Sequence, residues 1–158
     1  MSRSRTTGFS LIELVIVIVI LAVISAIALP RISRGAKGAD ESALGQNLAV
    51  LRTAIETYAA EHGGKFPTVA EFEDQLTKYT NKAGTATSTT RDEANGIIYG
   101  PYLHKVPPLT VGDNAGKTKV AASAGADVGW IYDETTGKLT ANVAAGVKAS
   151  NGTEYASW

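Results

Sequence analysis

The chain begins with a short basic segment, which is followed by an almost unbroken apolar run over residues 9–29. The only polar side chains in this run are Ser10, Glu13 and Ser25. At ~1.5 Å per residue, a helix of this length reaches ~31 Å, about the thickness of the hydrocarbon layer of a bilayer. A secretory signal has a shorter apolar core. The pattern therefore predicts a retained transmembrane helix.

Glu13 is the one charged residue in this run. A charge costs ~3 kcal/mol at the centre of a bilayer and less near the interface. Because Glu13 lies near the N-terminal edge, two interpretations are open. The carboxylate reaches the interface or takes up a proton, or it has a specific partner.

The residues around Glu13 form a recognisable motif. A leader with Arg3 and Arg5 precedes Gly8-Phe9-Ser10-Leu11-Ile12-Glu13-Leu14. This segment resembles the class III signal of type IV pilins and type II secretion pseudopilins, closely over residues 8–30 and loosely beyond. In that family a membrane aspartyl peptidase cuts after the glycine and methylates the new N-terminus. The resemblance implies a leader of residues 1–8, cleavage between Gly8 and Phe9, and N-methylation of Phe9.

Cleavage would give Glu13 a partner. The new α-amine of Phe9 would have a pKa of ~7.7–8. Two opposite charges ~4 Å apart attract by ~4 kcal/mol at an effective dielectric constant of ~20. Glu13 of one subunit could therefore pair with Phe9 of a neighbour and set the register of a polymer. Since the two residues are four positions apart, pairing within one chain is the alternative.

Pro30 follows the apolar run and disfavours a regular helix by ~3 kcal/mol. The resemblance implies an assembly role for Pro30, at a position where helix unwinds as subunits pack. An ordinary kink at the membrane exit is the alternative. Residues 31–62 are then predicted to form an amphipathic helix that continues into the head and ends near His62, because Gly63 and Gly64 follow. Its apolar stripe comprises Leu44, Leu48, Leu51, Ile55 and Tyr58.

Residues 63–158 are long enough for one small domain. A capping-box pattern, Thr68-x-x-Glu71, predicts a short helix with Val69, Phe72, Leu76 and Tyr79 on one face. Residues 80–96 are polar and predict a long surface loop. Short strands are predicted at 97–99, 109–111, 117–121, 128–132 and 138–143, and the last two are predicted to form a hairpin around Asp133 and Gly137.

These elements predict an α+β fold: a long N-terminal helix, transmembrane in its first half, packed against a small antiparallel sheet. Trp130 and Tyr132 are expected to pack against the helix. The tail from Ala144 is expected to be flexible unless Tyr155 and Trp158 hold it. The plan and the segment from His62 to Thr68 are similar to those of pseudopilins, with the major type as the nearest match.

Composition narrows the chemistry. The chain has 15 basic and 15 acidic side chains, and loss of the leader would remove two basic ones, so nucleic acid is not an expected partner. There are no cysteines and only two histidines, His62 and His104, which disfavours a zinc site or a catalytic nucleophile. No cofactor is expected. Asp113, Asp127, Asp133 and Glu134 could hold calcium, although turn chemistry explains Asp113 and Asp133 equally well.

The resemblance implies a structural protein rather than an enzyme: a pseudopilin of a type II secretion system that polymerises into a periplasmic filament. The implied partners are other pilins or pseudopilins, the prepilin peptidase, the inner-membrane assembly platform, and lipid before assembly. The implied location is the bacterial inner membrane, with a cytoplasmic N-terminus and a periplasmic head. Counting the cations on either side of the helix favours the opposite orientation. The alternatives are a surface type IV pilin and a bitopic membrane-anchored binding protein. The missing cysteines favour the pseudopilin over the pilin.

Overall fold

The structure, a computed structural model, describes residues 9–158, except the side chains of residues 29–34. The chain divides into two compact units, with the boundary between Gly38 and Ala39. The elements in chain order are α1 (Leu11–Glu61), α2 (Phe72–Thr77), β1 (Tyr79–Asn81), β2 (Thr87–Ser88), β3 (Ile97–Tyr99), β4 (Lys119–Ala121), β5 (Val128–Asp133), β6 (Lys138–Ala141) and a 3-10 turn (Tyr155–Ser157). The α+β class predicted from the sequence is confirmed.

The first part of α1 is an apolar helix of membrane length. Residues Leu11–Ala28 have a mean hydropathy of 3.1, and none of them is buried within the chain. Helical hydrogen bonding satisfies the backbone polar groups of such a segment internally, as a lipid environment requires. The helix is continuous through Pro30. Unwinding at Pro30 during assembly stays a prediction, and the side chain of Pro30 lies outside the described part.

The second half of α1 carries the core of the head. The predicted stripe is confirmed, because Leu44, Leu48, Leu51, Ile55 and Tyr58 are each at most 2% exposed. The helix ends at Glu61, close to the predicted end at His62. The amide of Gly64 donates to the carbonyl of Ala59 at 2.7 Å, and Gly63 and Gly64 have φ of +69° and +84°. Glycine adopts this left-handed conformation without steric cost, so the sequence ends the helix there.

The second helix begins later than the capping-box pattern predicts. α2 starts at Phe72, its N-cap residue is Glu71, and no side chain caps it. The prediction for Thr68 was wrong because its amide donates instead to Oε1 of Gln75, at 2.8 Å. The apolar face is real, since Phe72 and Leu76 are both buried.

The first sheet has the order β2-β1-β3 and is antiparallel. Two of its strands, β1 and β2, lie largely in the segment predicted to be loop, so that prediction was wrong. The side chain of Thr80 is fully buried and lies 2.9 Å from Nε2 of His62. Oδ1 of Asn81 accepts the amides of Thr85 and Ala86, which closes the turn between the strands. The predicted strand at residues 97–99 is confirmed as β3, whereas β1 and β2 are mostly polar, so apolar alternation could not predict them.

The second sheet has the order β4-β5-β6. The predicted hairpin is confirmed, with Tyr132 opposite Leu139 and Asp133 opposite Lys138, although β6 ends at Ala141 rather than at residue 143. β4 runs parallel to β5, so this sheet is mixed rather than antiparallel. Parallel strands usually need a long crossover. Here β4 is only three residues long, so the short loop over residues 122–127 is enough to bring Val128 back beside Lys119, the first residue of β4.

Two further expectations have clear outcomes. The predicted strand at residues 109–111 does not form, and Leu109 instead pairs its amide and carbonyl with Lys117 and Gly116 in a loop. Trp130 and Tyr132 are buried in one cluster with the α1 stripe. Tyr132 packs edge-to-face on Phe72 of α2, with the ring centroids 4.7 Å apart.

Candidate processing and assembly site

Glu13 closes the first turn of α1. Its Oε2 accepts a hydrogen bond from the backbone amide of Ser10 at 2.8 Å, and the amide of Leu14 donates to the carbonyl of Ser10 at 3.2 Å. The first four amides of a helix have no partner within the helix. This contact is half of a capping box, in which a carboxylate three residues after the N-cap binds the N-cap amide. The negative charge is also stabilised by the positive end of the helix dipole.

Phe9 directly precedes this turn. Its side chain is 76% exposed, and those of Leu11 and Ile12 are 81% and 61% exposed. The structure therefore places the predicted assembly residues Phe9 and Glu13 together at the start of one exposed apolar helix. Gly8, on the other side of the predicted cleavage point, lies outside the described residues, as do Arg3 and Arg5. Cleavage and methylation at this point stay predictions.

Sequence reasoning missed a second feature, on the outer face of α1 in the head. Exposed side chains share this face over more than three turns: Gln46, Ala49, Val50, Thr53, Thr57 and Ala60. None of them is charged, whereas a helix face that meets water usually carries charged side chains. Together with Pro101 and Tyr102, part of this face lines a shallow apolar groove of about 470 Å³. We call these six residues the uncharged face. The signal was present in the sequence as a helical stripe without Lys, Arg, Asp or Glu.

The two histidines have different surroundings. His62 is 3% exposed and stacks on Tyr58, with the ring centroids 3.8 Å apart. Its Nδ1 lies 2.8 Å from the Tyr58 carbonyl, and its Nε2 lies 2.9 Å from Oγ1 of Thr80. His62 therefore fastens the end of α1 to β1. His104 is exposed.

Of the four acids considered for calcium, Asp113 is exposed, and the other three make contacts within the head. Asp127 pairs with Lys117 at 2.8 Å, and Glu134 accepts the amide of Val69 at 2.7 Å. Asp133 accepts hydrogen bonds from Thr135 and Thr136, which hold the pKa of its carboxyl at about 2. Within residues 9–158, no group of three or more His, Cys, Asp or Glu side chains could hold a metal ion.

The N-terminal geometry agrees with a comparison to known families. Residues 3–29 match the model for the prokaryotic N-terminal methylation motif. The chain carries the class III signal of pilins and pseudopilins. The match covers the basic N-terminal segment and the apolar helix and does not extend into the head. No curated protein and no solved structure matches the chain. The motif supports a filament subunit of the pilin or pseudopilin type, and the exposed apolar helix fits a membrane-anchored protein of that type.

Proposed function

We propose that this chain is a pseudopilin of a type II secretion system, of the major type, which polymerises into a periplasmic filament. The prepilin peptidase would cut between Gly8 and Phe9 and methylate Phe9. The chain would then be a structural protein and not an enzyme. The observation that carries this proposal is the position of Glu13, beside Phe9 and at the start of an apolar helix that the chain itself leaves unburied.

The electrostatics of the N-terminus support polymerisation. Once cleaved, Phe9 would place a positive α-amine one residue before the amide that Glu13 already binds. In a low-dielectric environment each of these ions is costly alone, and a pair offsets much of that cost. A Glu13 carboxylate that leaves Ser10 for the Phe9 amine of a neighbouring subunit would fix the axial register of the filament. Pairing with its own Phe9 is the competing state.

The uncharged face supports the same role. Val50, at its centre, is 51% exposed, and its exposed neighbours Ala49, Thr53 and Thr57 are small. Small side chains let helices approach closely. A filament whose helices pack side by side would cover this face.

The proposed partners and location follow from this role. The peptidase and the assembly platform of the inner membrane would receive the precursor, and lipid would cover residues 9–30 before assembly. The N-terminus would be cytoplasmic and the head, residues 63–158, periplasmic, with residues 31–62 joining the two. Nucleic acid is not a proposed partner, because the charges of the chain balance.

Mass spectrometry and assembly assays test the proposal. In cells that contain the prepilin peptidase, the membrane-purified chain should lack residues 1–8 and carry one added methyl group. Glu13→Gln should be processed normally but should reduce filament formation at least tenfold. Ser25→Ala, in the same apolar helix, is the matched control and should assemble as the native chain does. An uncut N-terminus, or full assembly of Glu13→Gln, would rule the proposal out.

A surface type IV pilin is the second candidate, because it shares the N-terminal motif. A strain that lacks this chain separates the two: a pseudopilin is needed for secretion of folded proteins, and a surface pilin for attachment or motility. A bitopic anchor is the third candidate. A bitopic anchor predicts that the function of the chain does not depend on cleavage after Gly8 and that Glu13→Gln does not change that function.

A further inference from the structure

The C-terminal segment, residues 144–158, is held in place although it has little regular structure. Its backbone forms one isolated bridge, between Lys148 and Glu154, and the turn Tyr155–Ser157. Within it, Ala149 and Tyr155 are the buried hydrophobic side chains, at 5% and 3% exposure. Terminal segments with so few apolar anchors are usually poorly ordered. Something other than apolar burial must contribute to its attachment.

One carboxylate oxygen on α1 collects three hydrogen bonds from this segment. Oε1 of Glu41 accepts the amide of Ser150 at 2.8 Å, the hydroxyl of Ser150 at 2.9 Å and the hydroxyl of Tyr155 at 2.9 Å. Hydrogen bonds to an ionised acceptor are roughly twice as strong as those between neutral groups. Burial and then the bond to Glu41 raise the pKa of Tyr155 to about 12, so its hydroxyl stays a donor.

A cation on the same helix holds the end of the segment. Nη2 of Arg52 donates to the carbonyl of Leu139, at 3.0 Å, and to that of Trp158. Residues 41 and 52 are eleven positions apart, which places them on nearly the same face of α1 and ~16 Å apart along it. Between them the ring of Trp158 lies near Gly45, where a Cβ would lie 3.9 Å from Cζ3 of the ring.

We propose that Glu41 and Arg52 form a polar latch that fastens residues 144–158 to α1, and that loss of the Glu41 charge releases this segment while the rest of the head stays folded. Because the chain has no cysteines, a disulfide cannot attach this segment, and these hydrogen bonds do so instead. Its opening would uncover Gly45 and the adjacent part of α1. The inference does not depend on the filament function.

The independence of the rest of the head follows from where its own contacts lie. The β5–β6 hairpin is closed by backbone pairing from Trp130 to Asp133, and Trp130 donates from its indole to the carbonyl of Pro107 at 2.8 Å. Neither contact involves Glu41 or residues 144–158. Arg52 also binds Leu139 of β6, so release is assigned to the Glu41 contacts, which join α1 to Ser150 and Tyr155 and can open as a local unit at lower free energy than the whole domain.

Hydrogen exchange of the full chain in detergent micelles tests the latch. In Glu41→Gln, amide protection over residues 149–158 should fall by about tenfold or more, and protection of β5 and β6 should not change. Tyr155→Phe removes one of the three donors and should give a smaller loss in the same peptides. Glu56→Gln, a charge neutralisation at an exposed position on the same helix, is the matched control and should change neither region.

Two results would overturn the proposal. Native protection of residues 149–158 in both Glu41→Gln and Glu41→Ala would show that the carboxylate does not hold the segment. An equal loss of protection across residues 128–141 and 149–158 would show that Glu41 supports the head as a whole. Loss confined to the C-terminal peptides supports the latch.

Discussion

The carboxylate of Glu13 lies 2.8 Å from the backbone nitrogen of Ser10, so the acid in the apolar helix is engaged within its own chain before any second subunit is present. This contact gives Glu13 a role that differs from polymer registration. A charge that caps a helix N-terminus typically contributes ~0.5–2 kcal/mol. The cap also offsets part of the cost of holding this carboxylate near lipid.

The capping role predicts a change in the single chain. In Glu13→Gln, the amides of Ser10 and Leu14 should exchange about threefold to tenfold faster in detergent micelles, because a neutral amide oxygen is a weaker acceptor for Ser10 and the first turn then frays. Hydrogen exchange below the concentration of assembly measures this without interference from the polymer. Ser25→Ala should leave these amides unchanged. Unaltered exchange in Glu13→Gln would contradict the capping role and leave pairing of Glu13 with Phe9, within one chain or between chains.

The neighbours Leu51 and Val50 predict opposite outcomes for the same kind of change. Leu51 is 0% exposed in the core, while Val50 is 51% exposed on the uncharged face. Leu51→Ala should lower the free energy of unfolding by ~2–5 kcal/mol, because it removes buried methyl groups and leaves a cavity. Val50→Ala should change it by less than ~0.5 kcal/mol. Thermal unfolding of the detergent-solubilised chain measures both.

The same pair separates stability from assembly. If the uncharged face packs against other subunits, Val50→Glu should fold with a native unfolding midpoint but assemble poorly. The control is Glu56→Gln, at the edge of that face, which should change neither the unfolding midpoint nor filament assembly. Normal filaments from Val50→Glu would show that this face stays in water.

The sequence predicted those features that depend on local pattern. The stripe of α1 was found because apolar residues recur at helical spacing, and the β5–β6 hairpin because Asp133 and Gly137 mark its loop. The N-terminal methylation motif could be recognised for the same reason, because it is contiguous in the chain, while cleavage at Phe9 stays a prediction. β1 and β2 were missed because the burial of Thr80 depends on His62, eighteen residues away.

The contacts of the latch could not be predicted from the sequence, because the residues that meet lie even further apart in the chain. Glu41 meets Ser150 across 109 positions, and Arg52 meets Leu139 across 87. A single acid or base on a helix face carries no sequence signal for a partner at that distance. Its contacts arise from the packing of the head, which periodicity does not encode.

Gly137 combines a special backbone conformation with a close contact. Its φ is +71°, and a Cβ there would lie 2.5 Å from Cε1 of Phe66. Gly137→Ala should therefore destabilise the head by about 2–4 kcal/mol, through backbone strain and displacement of the ring. Gly146→Ala has a similar φ of +82° with nothing within 4 Å, so it should cost only the strain, about 1–2 kcal/mol. Equal losses of unfolding free energy in the two variants would contradict the role of Phe66.

The lowered pKa of Asp133 predicts how the stability of the head changes at acid pH. Its carboxylate accepts hydrogen bonds from the Thr135 and Thr136 side chains and the Thr135 amide, and these lower its pKa to about 2 from an ordinary value near ~3.9. A depressed native pKa means that the contribution of the carboxylate is complete above pH ~4 and is lost as the pH falls from ~4 towards ~2. Asp133→Asn should therefore be less stable than the native chain at neutral pH but should lose less stability over that acid interval. Unfolding midpoints measured at several pH values in both proteins test this. Parallel curves would show that Asp133 titrates normally, and that the turn it closes does not depend on its charge.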